Sequence, residues 1–363
     1  MSATRLAGGM LATPQKAMER HDLTPPGVGR VTTAAGVAGR VAQGAPIELA
    51  VAAWYRRRRF EAVQFPAARL RVMAGAAGDR RPSVAVIIPT KECAATIVGV
   101  LRDAVEPVQA LGLVDEVIVV DADSADGTAA LAANAGADVV AQDEIRPDLG
   151  RALGKGDAMW RALQVTTSDI VCFLDGDTAD PAPAHLQGLL GPLLSDPTVE
   201  LVKGTFDRPL RNGELSLPNE GGRVTELMAR PLINLHEPLL AGFSQPLAGE
   251  FAARRELFEA VSFPVGYGVE IAVLIDALRL VGLDGLAECH LGSRQNRHQP
   301  LRALGEMAYA VLAAVERRRP AGPVQALAAG RYLKPWEQAT VAAIPVAERP
   351  PIGAERAARR SVS

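Results

Sequence analysis

Residues 170–177 read IVCFLDGD, and this stretch decides the fold of the chain. Five apolar residues end at Leu174 and are followed directly by Asp175 and Asp177, with Gly176 between them. A continuous apolar run of this length is typical of a strand that is buried on both faces of a parallel sheet. Burying two carboxylates with such a strand would cost much desolvation energy. We therefore expect them at the mouth of the strand, hydrated and able to oppose a cation.

The sequence around this stretch alternates between short β-rich segments and amphipathic segments. Predicted strands are SVAVIIP (83–89), DEVIVVDAD (115–123), ADVVAQ (137–142) and DIVCFLDGD (169–177). Predicted helices between them are AATIVGVLRDAVEPVQAL (94–111), SADGTAALAANAG (124–136) and GKGDAMWRALQVT (154–166). Strands that alternate with helices predict a parallel sheet with right-handed crossovers, and hence an α/β, Rossmann-like arrangement.

The composition excludes several classes of protein. Of 363 residues 48% are hydrophobic, and 39 Lys and Arg against 41 Asp and Glu leave a net charge of -2. A chain so close to neutral has no global field that favours nucleic acid or an anionic membrane as partner. Three widely spaced cysteines argue against a disulfide framework or a zinc site and fit a reducing cytoplasm. Because no signal-peptide core and no window of ~20 apolar residues occurs, we expect a soluble protein.

We divide the chain into five segments by their patterns. They are a flexible N-terminal arm (1–45), an N-terminal helical segment (46–82), a Rossmann-like half (83–185), a second half of mixed strands and helices (186–325) and a C-terminal tail (326–363). Within them we predict one helix over 48–65 and disorder over 351–363. Arg56 to Arg59 would form a solvated basic turn, with a phosphate- or partner-binding patch as the alternative.

Three polar motifs follow predicted strands. They are Pro89 to Glu92, Asp121 to Gly127, and Asp175 to Asp177. In open α/β sheets, ligands bind outside the carboxyl ends of the strands, near the point where the strand order reverses. No Gly-x-Gly-x-x-Gly follows the first strand and no P-loop motif occurs, which argues against a dinucleotide cofactor and against a P-loop nucleotide site.

An Asp-x-Asp pair by itself is most often a turn or a helix cap. Here Asp175 and Asp177 follow an apolar strand, downstream of two other polar strand ends. Hard divalent cations prefer oxygen ligands and offset the charge that develops on a leaving phosphate. The position of the pair therefore favours a divalent metal that holds the diphosphate of a nucleotide sugar.

Two glycine-flanked helix starts are candidate anion sites. Lys155 in GKGDAMW would place an ammonium beside exposed N–H groups, although a flexible turn with a solvated lysine explains the pattern equally well. Gly222, Arg223 and Thr225 in NEGGRVTELMARPL combine N–H groups, a guanidinium and a hydroxyl, which together recognise carboxylate or phosphate. The alternative for this second motif is an ordinary capped helix with a surface arginine.

Two further stretches carry candidate ligand-binding residues. In GYGVEIAVLID, Tyr267 and Glu270 could contact sugar hydroxyls, although core packing and a capping carboxylate explain them almost as well. In RQNRHQP, His298 lies in a polar, basic stretch with Asn296, and as a neutral imidazole it could be a third metal ligand. The other four histidines have no such neighbours, and we expect them to be structural.

Several of these motifs, in this order and spacing, resemble one known family. The stretches GKGDAMWRAL, FLDGD, GGRVTELMARPL, QPLAGEFAARRELF, GYGVEIAVLID and RQNRHQPL are similar to those of actinobacterial glucosyl-3-phosphoglycerate synthases and the related mannosyl-3-phosphoglycerate synthases. These are retaining glycosyltransferases of the GT-A fold, and the resemblance covers about residues 54–320.

The resemblance implies a fold, a reaction and cofactors. It implies a GT-A fold with a nucleotide-sugar-binding half (83–185) and an acceptor-binding half (186–325). It implies Mg²⁺- or Mn²⁺-dependent transfer of a hexose from a UDP- or GDP-sugar to a small anionic acceptor, 3-phosphoglycerate above all, with retained anomeric configuration. It further implies a homodimer.

The resemblance also assigns roles to residues. Catalytic roles fall to Asp177, Lys155 and Glu270, and metal binding to Asp177 and His298. The donor would be bound by Pro89, Thr90, Glu92, Asp121, Lys155, Asp175, Gly176, Asp177, Tyr267 and Glu270. The acceptor would be bound by Gly222, Arg223, Thr225 and Asn296.

The chain departs from the family pattern at two places. Where the family reads Pro-x-x-Asn-Glu-Glu, this chain reads PTKECA, so that Cys93 and Ala94 replace two acidic residues near the base and a guanosine donor becomes an alternative. Where the family reads Arg-x-His-Arg-Asn, Asn296 and His298 have exchanged places. Three alternatives stay open: a related transferase of natural-product biosynthesis with another acceptor, a nucleotidyltransferase, and a non-catalytic nucleotide-sugar-binding protein.

Overall fold

The fold was analysed in a computed structural model, which describes residues 46–76, 81–208, 210–212, 215–217, 222–294, 300–320, 331–334 and 340–360. The expected N-terminal arm lies outside the described residues. No helix in this described part of the chain is long and apolar enough to cross a bilayer.

An eight-stranded mixed sheet forms the centre of the molecule. Its order is β1-β11-β6-β9-β5-β2-β3-β4, and only β9 runs antiparallel to both its neighbours. The strands of this sheet are β1 (Arg59–Glu61), β2 (Val84–Thr90), β3 (Glu116–Asp121), β4 (Asp138–Ala141), β5 (Ile170–Phe173), β6 (Leu201–Asp207), β9 (Phe251–Arg254) and β11 (Leu286–Ser293). Three two-stranded pairs complete the strands: β7 (Leu210–Asn212) with β8 (Leu215–Leu217), β10 (Phe263–Pro264) with β14 (Glu348–Arg349), and β12 (Arg331–Lys334) with β13 (Thr340–Ala343).

Helices connect the strands and cover both faces of the sheet. They are α1 (Ile47–Arg58), α2 (Ala67–Ala76), α3 (Ile97–Gly99), α4 (Glu106–Gln109), α5 (Thr128–Asn134), α6 (Lys155–Ala162), α7 (Pro183–Ser195), α8 (Arg230–His236), α9 (Arg255–Ala260), α10 (Val269–Val281), α11 (Leu301–Arg317) and a last helix α12 (Ile352–Arg360). A π-helical segment, Val100–Val105, joins α3 to α4, and another, Thr225–Ala229, leads into α8. The predicted helices of the Rossmann-like half are therefore present, with shorter bounds.

Two apolar cores lie on opposite faces of the sheet, and the central strands contribute to both. In β2, Val86 and Ile88 pack in one core while Ile87 packs in the other. In β5, Cys172 packs in the same core as Val86, and Phe173 packs in the same core as Ile87; both are buried. Successive side chains of a strand point to opposite faces, so that a strand covered on both sides must be apolar throughout. This confirms the prediction made from IVCFL.

The strand order reverses beside β2. The chain proceeds outward from β2 to β3 and β4, then returns to place β5 on the other side of β2. The carboxyl ends of β2 and β5 therefore flank a topological switch point, the place where open α/β sheets bind ligands. Thr90 ends β2 there, and Asp175 and Asp177 follow β5.

Two sequence-based predictions are wrong at the ends of the described chain. The helix predicted over 48–65 stops at Arg58, because residues 59–61 pair in parallel with β11 as strand β1. The disorder predicted over 351–363 is contradicted at 352–360, where α12 packs against α9 and buries Ile352. In both cases a tertiary partner decides the conformation, and local pattern carries no information about that partner.

Candidate active site

A cleft of about 740 Å³ opens at the carboxyl ends of β2, β3 and β5. Its walls also come from the start of α6, the helical turn after Gly222, α10, α11 and the segment 343–345. The cleft brings together eleven residues that sequence analysis singled out: Pro89, Thr90, Lys155, Asp175, Gly176, Asp177, Gly222, Arg223, Thr225, Tyr267 and Glu270. Residues that are up to 181 positions apart in sequence (Pro89 to Glu270) thus share one cavity. The strand-end argument predicts five of the eleven, those at 89–90 and 175–177.

Glu92 and Asp121 do not line the cleft but hold its rim together. Asp121 is buried and accepts hydrogen bonds from Thr90 Oγ1 at 3.0 Å and Ser124 Oγ at 2.7 Å. The Glu92 N–H donates to Ser124 Oγ, and the Glu92 carboxylate accepts from the N–H of Ala125, both at 2.9 Å. These bonds tie the loop after β2 to the loop after β3. Their predicted contact with a nucleotide remains a prediction.

The same two loops carry backbone strain. Glu92 and Asp123 adopt positive φ angles of 54° and 57°, which residues other than glycine rarely do. Cys93 and Ala94, which stand where the family has acidic residues, help to tie the two loops together. The N–H of Cys93 donates to Thr128 Oγ1, and that of Ala94 donates to Asp126 Oδ2. Strained backbone of this kind persists where the surroundings over-determine it, and it clusters at ligand sites.

Gly176 must be small for the Asp-x-Asp motif to pack. A Cβ atom there would lie 2.8 Å from Thr90 Cγ2 and 3.4 Å from Cys93 Sγ. The missing side chain lets the motif lie directly against the end of β2. The spacing Asp-Gly-Asp therefore has a steric cause as well as a chemical one.

Lys155 lies in an ion-pair cluster beneath the cleft. Its Nζ is 2.7 Å from Asp175 Oδ1 and 3.0 Å from Glu270 Oε1. Burial opposes its charge, but the two carboxylates outweigh burial and raise the pKa of Lys155 above its ordinary value. The structure thus replaces the alternative of a solvated lysine on a flexible turn with a permanently charged, positioned ammonium.

The two aspartates of the motif have different surroundings. Asp175 is paired on both sides, by Lys155 and by Arg294 Nη2 at 3.0 Å, and although burial opposes its ionisation these cations lower its pKa. Asp177 lies 3.3 Å from the same guanidinium, but its side chain is 59% exposed against 18% for Asp175. Asp175 is therefore the structural member of the pair, and Asp177 is the member whose oxygens can take a further ligand.

No group of three or more His, Cys, Asp or Glu side chains that could hold a metal occurs among the described residues. Asn296 and His298, the predicted acceptor and metal residues, lie outside the described part of the chain. Within it, Asp177 supplies carboxylate oxygens of the type that Mg²⁺ and Mn²⁺ prefer.

The second candidate anion site forms another wall of the cleft. Gly222 has φ +75°, Thr225 is buried, and Arg223 lines the cavity between them. The predicted helix is present here as a turn at residues 223–224, the π-helical Thr225–Ala229 and then α8.

Comparison with known proteins places this geometry in a family. Residues 85–240 match the family model described as Glycosyl transferase family 2. The chain is 42% identical over 275 residues to a glucosyl-3-phosphoglycerate synthase of Mycolicibacterium smegmatis, a match that covers 74% of this chain and 89% of the relative. The chain belongs to the glucosyl-3-phosphoglycerate synthase family. It is accordingly a glycosyltransferase.

Solved structures of this family agree with the fold. A mannosyl-3-phosphoglycerate synthase from Rubrobacter xylanophilus superposes with a TM-score of 0.72 at 43% identity, covering 83% of this chain and 98% of its own. The glucosyl-3-phosphoglycerate synthase of Mycobacterium tuberculosis in complex with Mn²⁺, UDP-glucose and phosphoglyceric acid gives 0.69 at 36% identity, covering 78% and 94%. These matches confirm the resemblance drawn from the motifs and the GT-A fold.

Sequence analysis missed several residues around the cleft of this protein. Gly249 lacks a Cβ that would collide with both carboxylate oxygens of Asp175 and lie 2.6 Å from Lys155 Nζ. Lys203 is buried, donates to the carbonyl of Ala248 at 2.6 Å, and has a pKa lowered to about 8 by burial. Lys203 could have been noticed as a lysine within the apolar strand VELVKGTF.

Two more groups in the cleft were missed. Arg208, directly after β6, lines the cavity, and so do Ile344 and Pro345 of the C-terminal tail. Arg208 directly follows strand β6, as the recognised motifs follow β2, β3 and β5, and the strand-end rule applied to this later strand could have found it. Nothing in the sequence around Ile344 points to a site.

Proposed function

We propose that this protein transfers a hexose, with retention of anomeric configuration, from UDP-glucose to 3-phosphoglycerate. The observation that carries the proposal is that one cleft joins the Asp175 to Asp177 motif and Lys155 to a separate anion-binding wall at Arg223. A diphosphate donor and an anionic acceptor need two such walls next to each other. The named relative, at 42% identity over 89% of its length, supports the same substrates.

The donor's diphosphate would be held with a Mg²⁺ or Mn²⁺ ion. Asp177 fits this ion, since it is a half-exposed carboxylate whose only ion-pair partner among the described residues is Arg294 at 3.3 Å. We propose His298 as a second protein ligand and Asn296 as an acceptor contact. When bound, the ion would offset negative charge on the phosphate oxygens of the leaving group.

The protein's own residues would position the reactants and stabilise charge. Pro89, Thr90, Glu92 and Asp121 would form or support the pocket of the nucleoside, while Tyr267 and Glu270 flank the sugar. Lys155 stays protonated beside Asp175 and Glu270, so that it acts as a fixed positive charge and not as a base. Preorganised charge of this kind is usually the largest single contribution to catalysis.

The proposed reaction is a front-face displacement. The acceptor hydroxyl oxygen bonds to the anomeric carbon on the face that the leaving group occupies, as the bond from that carbon to the diphosphate oxygen breaks. The hydroxyl proton passes to the departing diphosphate oxygen, and UDP leaves. No side chain is needed as base, because Gly222, Arg223 and Thr225 would hold the acceptor beside the leaving oxygen.

The alternatives are less well supported. The relatives named as glucosyl-3-phosphoglycerate synthases favour a catalyst of this reaction over a natural-product transferase, a nucleotidyltransferase or a non-catalytic binding protein. One solved neighbour contains Mn²⁺ and UDP-glucose, which supports a uridine donor despite Cys93 and Ala94. Another neighbour is a mannosyl-3-phosphoglycerate synthase, and a GDP-sugar is therefore the second donor to test.

We also propose a homodimer located in the cytoplasm. Leu49 on α1, Leu227 and Leu235 are 61%, 72% and 73% exposed, and exposed apolar side chains of this size support a protein interface. Cys93, Cys172 and Cys289 are buried and unpaired, in keeping with a reducing compartment. Light scattering coupled to size exclusion measures the mass directly.

The test of the proposed function is a transfer assay with a matched variant. The protein is incubated with UDP-glucose or GDP-mannose, 3-phosphoglycerate and Mn²⁺, and the product is analysed by NMR for its anomeric configuration. We expect an α-linked product from UDP-glucose, no product with a chelator, and at least a thousandfold lower kcat for Asp177→Asn with an unchanged melting temperature. Transfer that continues undiminished in Asp177→Asn or with chelator would refute the metal assignment.

A further inference from the structure

Arg208 is a cation of the cleft to which the described residues supply no ion-pair partner. It follows β6 and lines the cavity, and its Nε is buried without a hydrogen-bond partner. No described carboxylate lies within ion-pair distance of its guanidinium. A guanidinium presents five N–H donors, and leaving buried donors unmatched costs free energy.

The surroundings of Arg208 increase this cost. Its close electrostatic neighbour is Arg294, whose own charge is taken up by Glu250, Asp175 and Asp177. Burial lowers the pKa of Arg208, the charge of Arg294 lowers it further, and the carboxylates of Glu250, Asp175 and Asp177 partly oppose the shift. None of these three carboxylates lies within ion-pair distance of Arg208, so that they offset its charge only from farther away.

The fully buried arginines in the described part of the chain, Arg161, Arg294 and Arg318, are each paired with at least one carboxylate, although Arg294 Nε, like Arg208 Nε, has no hydrogen-bond partner. Arg161 bonds Asp157 and the carbonyls of Ile145 and Gly150. Arg318 bonds both oxygens of Asp276 and one of Glu348. Because the fold supplies a carboxylate to each of these structural arginines, the lack of a described carboxylate within ion-pair distance of Arg208 indicates that a ligand supplies the anion.

We propose that Arg208 is a further anion-binding residue of the cleft, whose guanidinium binds a phosphoryl group of a substrate. Guanidinium groups bind phosphate through two parallel N–H bonds, which gives both affinity and orientation. Two sources carry this group: the phosphate of the acceptor and the diphosphate of the donor. The assignment rests on the proposed function and adds a residue to it.

Binding measurements on the full chain separate this assignment from the proposed reaction. Calorimetry measures the affinity of 3-phosphoglycerate and of UDP, each with Mn²⁺, for the unmodified protein, Arg208→Gln and Arg208→Lys. Arg57→Gln, which alters an exposed arginine paired with Asp284 away from the cleft, is the control and should leave both affinities unchanged. Inorganic phosphate is the probe if neither ligand binds the unmodified protein.

We expect Arg208→Gln to weaken at least one ligand tenfold or more without lowering the melting temperature, since it removes an unpaired charge. The weakened ligand identifies the source: loss for 3-phosphoglycerate places the acceptor's phosphate at Arg208, and loss for UDP places the diphosphate there. Arg208→Lys should give a smaller loss. Losses below tenfold for every ligand, a loss accompanied by a lower melting temperature, or no anion binding at all would overturn the assignment. If the unmodified protein transfers no hexose but Arg208→Gln selectively loses affinity for one ligand, only the proposed reaction is refuted, and the assignment of Arg208 stands.

Discussion

At the scale of single residues, the geometry of this cleft depends on charges that neutralise one another and on glycines that leave room for close contacts. Asp175 is held between Lys155 and Arg294, and Gly249 leaves room for that contact. The motif therefore combines one carboxylate that holds the structure together with one that stays exposed. A substitution of Gly176, Gly249 or either cation is therefore expected to shift both carboxylates of the motif.

Gly176→Ala tests the steric part of this arrangement. The added Cβ would meet Thr90 Cγ2 at 2.8 Å, so that Thr90 or the motif must shift. We expect kcat/KM to fall at least tenfold and the free energy of unfolding to fall by about 1 to 3 kcal/mol. Gly99→Ala is the control, since its Cβ would lie at an ordinary 3.5 Å from Pro181 and helical Ala is favoured over Gly. Equal kcat/KM in both variants would contradict the steric explanation.

His185 makes stability depend on pH. It is buried on α7 against the ring of Phe206, and burial, followed by the charge of Arg294, lowers its pKa from 6.5 to about 4. Between these values the unfolded chain is protonated and the folded chain is not, so that stability is lost as pH falls from 6.5 towards 4. The loss is on the order of 3 kcal/mol.

The measurement is urea unfolding of the unmodified protein and of His185→Gln at several pH values. Because the variant lacks the imidazole, the difference in unfolding free energy between the two proteins should shrink as the pH falls through this window. Two curves that stay parallel from pH 6.5 to pH 4 would show that His185 does not titrate as described.

At the scale of secondary-structure elements, the Rossmann-like half follows from its pattern, and the ends of the chain do not. Strands buried on both faces read as apolar runs, and β2, β3 and β5 lie where the pattern puts them. Strand β1 exists only because β11 pairs with it, and β14 only because β10 does. Elements of two or three residues carry too little pattern to be recognised, and their pairing partners are remote in sequence.

The C-terminal tail is held on the body of the protein by Arg349, and this anchor can be tested. Arg349 bonds both carboxylate oxygens of the fully buried Asp157, at 2.7 and 2.8 Å. Arg349→Gln should lower the free energy of unfolding by about 2 kcal/mol, since it leaves a buried carboxylate with Arg161 as its remaining charge partner. It should also speed proteolysis at α12.

Arg356→Gln is the matched control for this experiment. Arg356 lies on the same tail and pairs with Glu259 of α9. Its side chain is 49% exposed, and exposed pairs contribute ~0.5 kcal/mol or less. Equal effects of the two substitutions would mean that the pair with Asp157 is not the anchor of the tail.

At the scale of the whole molecule, the cleft lies where the parallel half meets the second half and the tail. Part of its lining comes from the ends of β2, β3 and β5 and from the start of α6, whereas Arg223, Tyr267 and Ile344 approach from later parts of the chain. A ligand that bridges these parts stabilises the folded state by mass action, because the unfolded chain does not assemble them.

Ligand-linked stability should therefore report donor choice. With Mn²⁺, UDP-glucose at a hundred times its dissociation constant should add about 2.7 kcal/mol to the free energy of unfolding, seen as a rise in melting temperature. Chelation should abolish the rise, and GDP-mannose should give a smaller one. A larger rise with GDP-mannose would assign a guanosine donor, and an equal rise with chelator would contradict a metal-held diphosphate.

The sequence by itself determined the parallel sheet and the positions of the strand ends, because apolar periodicity and strand-end polarity are local properties. It also pointed to eleven residues of the cleft, five through strand ends and six through other local motifs and the family resemblance. Tertiary structure alone decided that Asp175 is neutralised while Asp177 is exposed, that no described carboxylate pairs with Arg208, and that Ile344 reaches the cavity. These properties depend on distances between groups that are remote in the chain. Charge compensation and packing act across space, and no local pattern records them.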